Sequence, residues 1–187
     1  MRKLIFIGSV LLGLAPGVAI AGAIHDAAKA GDVVAIAAAL DAGADVNASE
    51  GMGTPLAYAV KRGHLAAAEL LIARGAKVSA PTRYDGEPLI IAVHSQRLDM
   101  MALLLAHKAH PDTTHNGETA LHIATWLGCF DCVELLVRAG ADVNARNFGP
   151  AKDCNGERTA FDIATNYGYA NIAGYLEAHG AKLAALQ

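Results

Sequence analysis

Apolar residues recur along this chain at three- and four-residue intervals, in short segments punctuated by glycine. The clearest example runs from Thr54 to Gly75. Leu56, Ala59 and Val60 fall on one face at helical spacing. Thr54 ahead of them is a capping residue, and Pro55 occupies a first helical position, where a missing N–H costs nothing. Gly63 ends this helix. Leu65 to Ala73 supplies a second helix with its own apolar stripe, and Gly75 is able to take the left-handed conformation that closes it. The predicted unit is two short antiparallel helices followed by a turn.

The same pattern returns. Thr54-Pro55-Leu56-Ala57-Tyr58-Ala59 is echoed by Glu87-Pro88-Leu89-Ile90-Ile91-Ala92, Thr119-Ala120-Leu121-His122-Ile123-Ala124 and Thr159-Ala160-Phe161-Asp162-Ile163-Ala164, at spacings of 33, 32 and 40 residues. Ile24-His25-Asp26-Ala27 begins a further copy 32 residues before Leu56 to Ala59. Most copies continue with Gly31, Gly63, Gly128 or Gly168, and Gly-Ala-Asp-Val-Asn closes two of them at 43–47 and 140–144. No unit buries its stripe alone, so the units must stack, and five suffice for a stable array.

Asn116-Gly117-Glu118-Thr119-Ala120-Leu121-His122 through Gly140-Ala141-Asp142-Val143-Asn144 resembles the ankyrin repeat nearly throughout, and the resemblance extends over about 24–181. It implies an all-α repeat solenoid of about five helix-turn-helix units with β-hairpin fingers at right angles to the helical wall. The units fall at about 22–48, 49–81, 82–114, 115–147 and 155–183. Extra residues between the last two lengthen one finger over 147–158. The first unit lacks a hairpin, and the last, with polar Asn171 and Glu177, reads as a C-terminal cap. In the third unit Lys108 replaces the closing glycine and His110-Pro111-Asp112 replaces Asp-Val-Asn. A distorted turn is expected there, since a β-carbon in the left-handed region costs up to about 1 kcal/mol.

The N-terminal segment follows a different pattern. Arg2 and Lys3 precede an almost wholly apolar run, Leu4 to Leu14. Pro16 and Gly17 are expected to break the helix before Ala19-Ile20-Ala21, an A-x-A cleavage pattern. The run falls short of the roughly 20 residues that a membrane span requires. Residues 1–21 therefore read as a signal peptide, with 22–187 as the mature domain. The destination is outside the cytoplasm, most simply a periplasm, with no membrane attachment after cleavage.

Composition adds to this picture. Hydrophobic residues make up 53% but aromatics only 5%, as suits a core of closely packed Ala, Leu, Ile and Val. After residue 21, thirteen Lys and Arg face eighteen Asp and Glu, a mildly acidic balance without general attraction for nucleic acid or anionic lipid.

Candidate chemistry is sparse. By the resemblance, His25 and His122 tie neighbouring hairpins together, and His64 packs after the inter-helix glycine. His107, His110, Asp112 and His115 cluster about one turn, but their spacing matches no zinc-ligand frame. Cys129-Phe130-Asp131-Cys132 is a C-x-x-C at a helix start, a place where thiols become acidic. In an oxidising compartment it forms a structural i, i+3 bridge; thiol-redox chemistry is its other reading. Cys154 lies apart, in the long finger. No nucleophile elbow, phosphate loop or His-Glu metal motif occurs, so neither catalysis nor a cofactor is expected.

The family resemblance instead implies protein binding through the concave face, made of hairpin tips and the residues just before each inter-helix glycine. Arg62, Tyr84, Trp126, Phe148 and Tyr167 are the anchors it points to. For Trp126, packing within the stack is the competing reading. The implied function is an exported, monomeric scaffold or adapter that binds another protein, protecting or assisting a partner such as an oxidant-defence enzyme. An immunity protein against a periplasm-targeted toxin is the alternative.

Overall fold

The computed structural model describes residues 16–51, 53–83, 86–147 and 158–184, with backbone alone at 16–21. Among the described residues ten helices form five pairs: α1 (Pro16–Ala30) with α2 (Val33–Asp41), α3 (Pro55–Arg62) with α4 (Leu65–Ala73), α5 (Pro88–His94) with α6 (Leu98–Ala106), α7 (Ala120–Trp126) with α8 (Phe130–Arg138), and α9 (Ala160–Asn166) with α10 (Ala170–Ala178). The odd-numbered helices pack in series as one row, the inner row, and the even-numbered helices as a second. A two-residue hairpin, β1 (Thr114–His115) with β2 (Glu118–Thr119), and a bridge between Glu50 and Gly53 stand ahead of α7 and α3.

The pairing within a unit follows from one repeated bond. In all five units the N–H after the inter-helix residue returns to an alanine carbonyl: Asp32 to Ala27, His64 to Ala59, Arg97 to Ala92, Cys129 to Ala124 and Tyr169 to Ala164, at 2.8–3.1 Å. Alanine at that site lets the second helix fold back closely. Eight residues beyond the inter-helix residue, Leu71, Leu104, Leu136 and Leu176 are fully buried between the rows. Each removes a side chain from water, worth about 2 kcal/mol.

Stacking is also set at the inter-helix residue. The side chain that follows it lies over the corresponding glycine of the preceding unit: His64 over Gly31, Arg97 over Gly63 and Tyr169 over Gly128. A β-carbon on Gly31 would come within 2.6 Å of the His64 ring, which is itself held by a bond from Nε2 to the Lys29 carbonyl at 3.1 Å. The third unit breaks the pattern in a matched way. Gln96 supplies the left-handed residue (φ 51) instead of glycine, and the side chain at the stacking position of the next unit is the small Cys129.

Two expectations are corrected. The stretch from Pro16 through Ala19-Ile20-Ala21, expected to lie beyond a helix break, is helical as part of α1, and residues before Pro16 lie outside the described residues. Nor is the turn after α6 distorted. Lys108 takes φ 67, and its N–H and that of Ala109 bond to Leu105 and Leu104 at 3.0 Å, the same pattern that Gly140 and Ala141 make with Val137 and Leu136. His110 Nδ1 accepts the Asp112 N–H at 3.2 Å, where Asp142 Oδ1 accepts that of Asn144 at 2.9 Å.

Candidate protein-binding face

The inner face begins with the capping of its helices. Thr54, Thr119 and Thr159 each accept a backbone N–H three residues on, from Ala57, His122 and Asp162. In the fourth unit His122 returns the bond. Its Nδ1 accepts the Thr119 N–H at 3.3 Å and faces the Thr119 hydroxyl at 2.8 Å, so its proton is on Nε2, which donates to the Arg158 carbonyl at 3.0 Å. Burial holds His122 below the ordinary histidine range, as this neutral, two-sided role demands. His25 likewise places Nε2 3.0 Å from the Ala48 carbonyl. In the last unit Asp162 replaces histidine. It accepts from Thr159 N–H at 2.7 Å and from Ala184 N–H at 3.1 Å, because the segment beyond it presents an N–H where His25 and His122 meet a carbonyl.

The bond from His122 fixes one root of the long finger. Asn147 N–H donates to the Arg158 carbonyl at 3.0 Å, and Arg158 N–H returns a bond to Asn147 Oδ1 at 3.0 Å. The finger between them, with Phe148 and Cys154, lies outside the described residues, as does Tyr84. No arrangement is assigned to those two anchors.

Three of the five expected anchors are placed. Arg62 ends α3 and is exposed. Trp126 and Tyr167 meet across adjacent units with ring centroids 4.8 Å apart, edge to face, and the Arg158 guanidinium lies 5.7 Å from the indole centroid. Packing within the stack, the competing reading of Trp126, therefore accounts for part of its surface. The indole is half-buried, its Nε1 buried without a hydrogen-bond partner among the described residues, while Tyr167 remains 51% exposed. Leu127 beside it is 38% exposed. Tyr169, which was not expected as an anchor, stacks on Tyr167 at 6.0 Å. Its position directly after an inter-helix glycine, as with His64, was the available signal.

The first half of the same face is polar. Lys61 and Arg62 end α3, and His94 and Ser95 follow on α5, all exposed. Lys29 bonds Asp26 at 2.9 Å, which holds the ammonium above its usual range, and lies 4.8 Å from the Tyr58 ring centroid.

Elsewhere, Cys129 and Cys132 are joined by a disulfide. Cys129 caps α8, its sulfur accepting the Cys132 N–H at 3.3 Å, and Cys132 is fully buried. His110 and Asp112 serve the turn after α6, Asp112 Oδ1 accepting the Asp142 N–H of the next unit at 2.8 Å. Among the described residues no group of His, Cys, Asp and Glu has the placement to hold a metal ion, and no helix is long and apolar enough to cross a membrane.

Comparison with known proteins places these features in a wider set. Ankyrin repeats (many copies) match residues 24–72, and ankyrin repeats (3 copies) match 81–147. The B-cell lymphoma 3 protein homolog of Mus musculus is 40% identical over 105 residues, 55% of this chain and 23% of its own length. Alpha-latrotoxin-Lg1a of Latrodectus geometricus is 30% identical over 146 residues, 75% of this chain but 10% of its own. Ankyrin repeat and SOCS box protein 11 of Mus musculus is 32% identical over 96 residues, 51% of this chain and 30% of its own. The chain therefore spans less than a third of each of these relatives.

Proposed function

The chain belongs to the ankyrin-repeat family, whose members are generally non-enzymatic scaffolds for protein–protein interaction, and on that premise we propose that it is an exported adapter that binds another protein through its inner face. The observation that carries the reading is the exposure of Leu127 and Tyr167 beside Trp126. Large apolar side chains clustered on a surface, outside the seam between the helix rows, are what a partner would cover.

Export rests on Arg2, Lys3, the apolar run Leu4 to Leu14 and the Ala19-Ile20-Ala21 pattern. The buried residues described in α1 are Ile24, His25, Ala27 and Ala28. All lie beyond Ala21, so cleavage there would leave them in place.

A tagged full-length chain, recovered from its own envelope fraction beside a Leu127→Ser/Tyr167→Ala variant, tests both parts. The expected result is a polypeptide beginning at Gly22 with one stoichiometric protein partner, lost in the variant. An intact Met1 in the cytoplasm would remove export, and a partner retained by the variant would remove this surface. The partner's identity sorts the finer readings: an oxidant-defence enzyme for the adapter, a toxin for immunity.

A further inference from the structure

Five units make the same inter-helix turn, and the fourth alone carries a disulfide across it. The residue matching Cys129 is Asp32, His64, Arg97 or Tyr169, and the one matching Cys132 is Ala35, Ala67, Met100 or Ile172. In every unit the fold-back is made by the bond to an alanine carbonyl, from Cys129 to Ala124 at 3.1 Å in the fourth. The bond from Cys129 to Cys132 spans a sequence separation of 3, and a crosslink restricts the unfolded chain less the shorter the loop it closes. The turn does not depend on this bond, which leaves its chemistry open to another use.

The two sulfurs are placed unequally. Cys132 is fully buried, whereas Cys129 is partly exposed, close in sequence to Leu127, with the Tyr169 ring over the intervening Gly128. Cys129 also forms the N-cap of α8, its Sγ accepting the Cys132 N–H at 3.3 Å. In the first unit Asp32 fills that role, its carboxylate accepting the Ala35 N–H at 2.9 Å. His64, Arg97 and Tyr169 make no such bond. The matching site thus already holds an anion once in this array, and a Cys129 thiolate would receive the same N–H at the same helix end.

We propose that Cys129–Cys132 is an exchangeable disulfide that oxidises a pair of cysteine thiols in a polypeptide docked beside it on Leu127 and Tyr167. The docking rests on the protein-binding reading; the sulfur chemistry stands without it. A partner thiolate, its proton lost to water, attacks Cys129 Sγ. The bond to Cys132 breaks, its electron pair passes to Cys132 Sγ, and water protonates that sulfur. The partner's second thiolate then attacks the partner sulfur held on Cys129, and Cys129 leaves as a thiolate that accepts the Cys132 N–H. The partner gives up two electrons and two protons and gains a disulfide, while the chain takes up both electrons. Access selects Cys129 as the sulfur attacked, and stabilisation of its thiolate makes it the better final leaving group.

The experiment uses the full-length chain with Cys154→Ser, which removes the third thiol. The oxidised chain is mixed with reduced synthetic peptides holding two cysteines, flanked either by Phe and Leu or by Ser and Gly, and its reduction is followed by mass spectrometry. The Phe/Leu peptide is expected to react about tenfold faster than the Ser/Gly peptide, and Leu127→Ser/Tyr167→Ala to bring the two to one rate. In a Cys132→Ala variant, which places there the residue of the first two units, iodoacetamide at neutral pH should alkylate Cys129 about tenfold faster than free cysteine. Helical circular dichroism should stay unchanged on reduction.

Loss of helix on reduction would make the bond structural and overturn the proposal. Equal rates for the two peptides, or alkylation of Cys129 no faster than that of free cysteine, would do the same. The envelope recovery separates this failure from the broader one. A stoichiometric partner beside an inert disulfide removes exchange and leaves protein binding intact. Absence of any partner removes protein binding, and with it the docked dithiol.

Discussion

The turn after α6 and the turn after α8 reach the same geometry with different residues. After α8 the chain uses Gly140, Asp142 and Asn144; after α6 it uses Lys108, His110 and Asp112. In both, the first position takes a positive φ, 93 for Gly140 and 67 for Lys108. In both, the second side chain accepts the N–H of the third residue, and the third accepts an N–H from the next unit: Asp142 N–H to Asp112 at 2.8 Å, Lys182 N–H to Asn144 at 2.9 Å. The turn specifies a short-range acceptor, a long-range acceptor and one left-handed residue. Imidazole nitrogen, carboxylate and amide oxygen all meet the acceptor requirement.

An imidazole acceptor occurs also at the buried start of α7, and this sharpens the comparison most. His122→Ala would leave the Thr119 N–H and the Arg158 carbonyl without this partner and open a cavity, a loss of about 2–4 kcal/mol in urea unfolding. It also carries a pH signature. Because the folded protein holds the His122 pKa below 6.5, the unfolded chain binds the extra proton first. Stability is then fully present above the unfolded value and declines as pH falls through it toward the folded value. His122→Gln should flatten that part of the profile; an unchanged slope would assign it to other groups.

Next in size is the bond between units. Asp112→Ala and Asn144→Ala should each cost about 1–2 kcal/mol by the same measurement. A negligible effect at Asp112 beside a full one at Asn144 would show that the two turns are not equivalent after all. Within the turn, His110→Ala should cost about 0.5–1 kcal/mol and His110→Asp restore most of it.

The smallest effect is conformational. Lys108→Gly removes a β-carbon from a left-handed residue and should stabilise the array by at most about 1 kcal/mol, visible as a higher thermal midpoint. A loss of stability there would mean that the lysine side chain makes a contact outweighing its backbone strain.

The helices, their caps and the unit length were legible in the sequence because they depend on local periodicity and on residue types with one conformational use, such as Thr54-Pro55 and Gly63. The regular turn after α6 was not legible, since residue identity was taken as the requirement where hydrogen-bonding capacity was enough. Ala19-Ile20-Ala21 was expected outside a helix and lies within α1, since alanine suits a helix as well as it suits a cleavage pattern. At the candidate face, positions ending the inner helices could be named in advance, but not how far each side chain is consumed by the stack. Trp126 and Tyr167, two and one residues ahead of their inter-helix glycines, both read in sequence as aromatic side chains on the same face. The first is half covered by its neighbours, and the second stands out from them, a difference made by side chains from the next unit.

The bonds from Asn47 to Lys77, from Asp112 to Asp142 and from Asn144 to Lys182 each join one unit only to the next. Held at its two ends and stretched, such an array carries tension in series, every junction bearing the full load. It yields where a junction is weakest, and each unit of about 33 residues released would pay out up to about 110 Å of chain while its neighbours stay folded. The protein is thereby a spring with a stepped, rather than a single, breaking length.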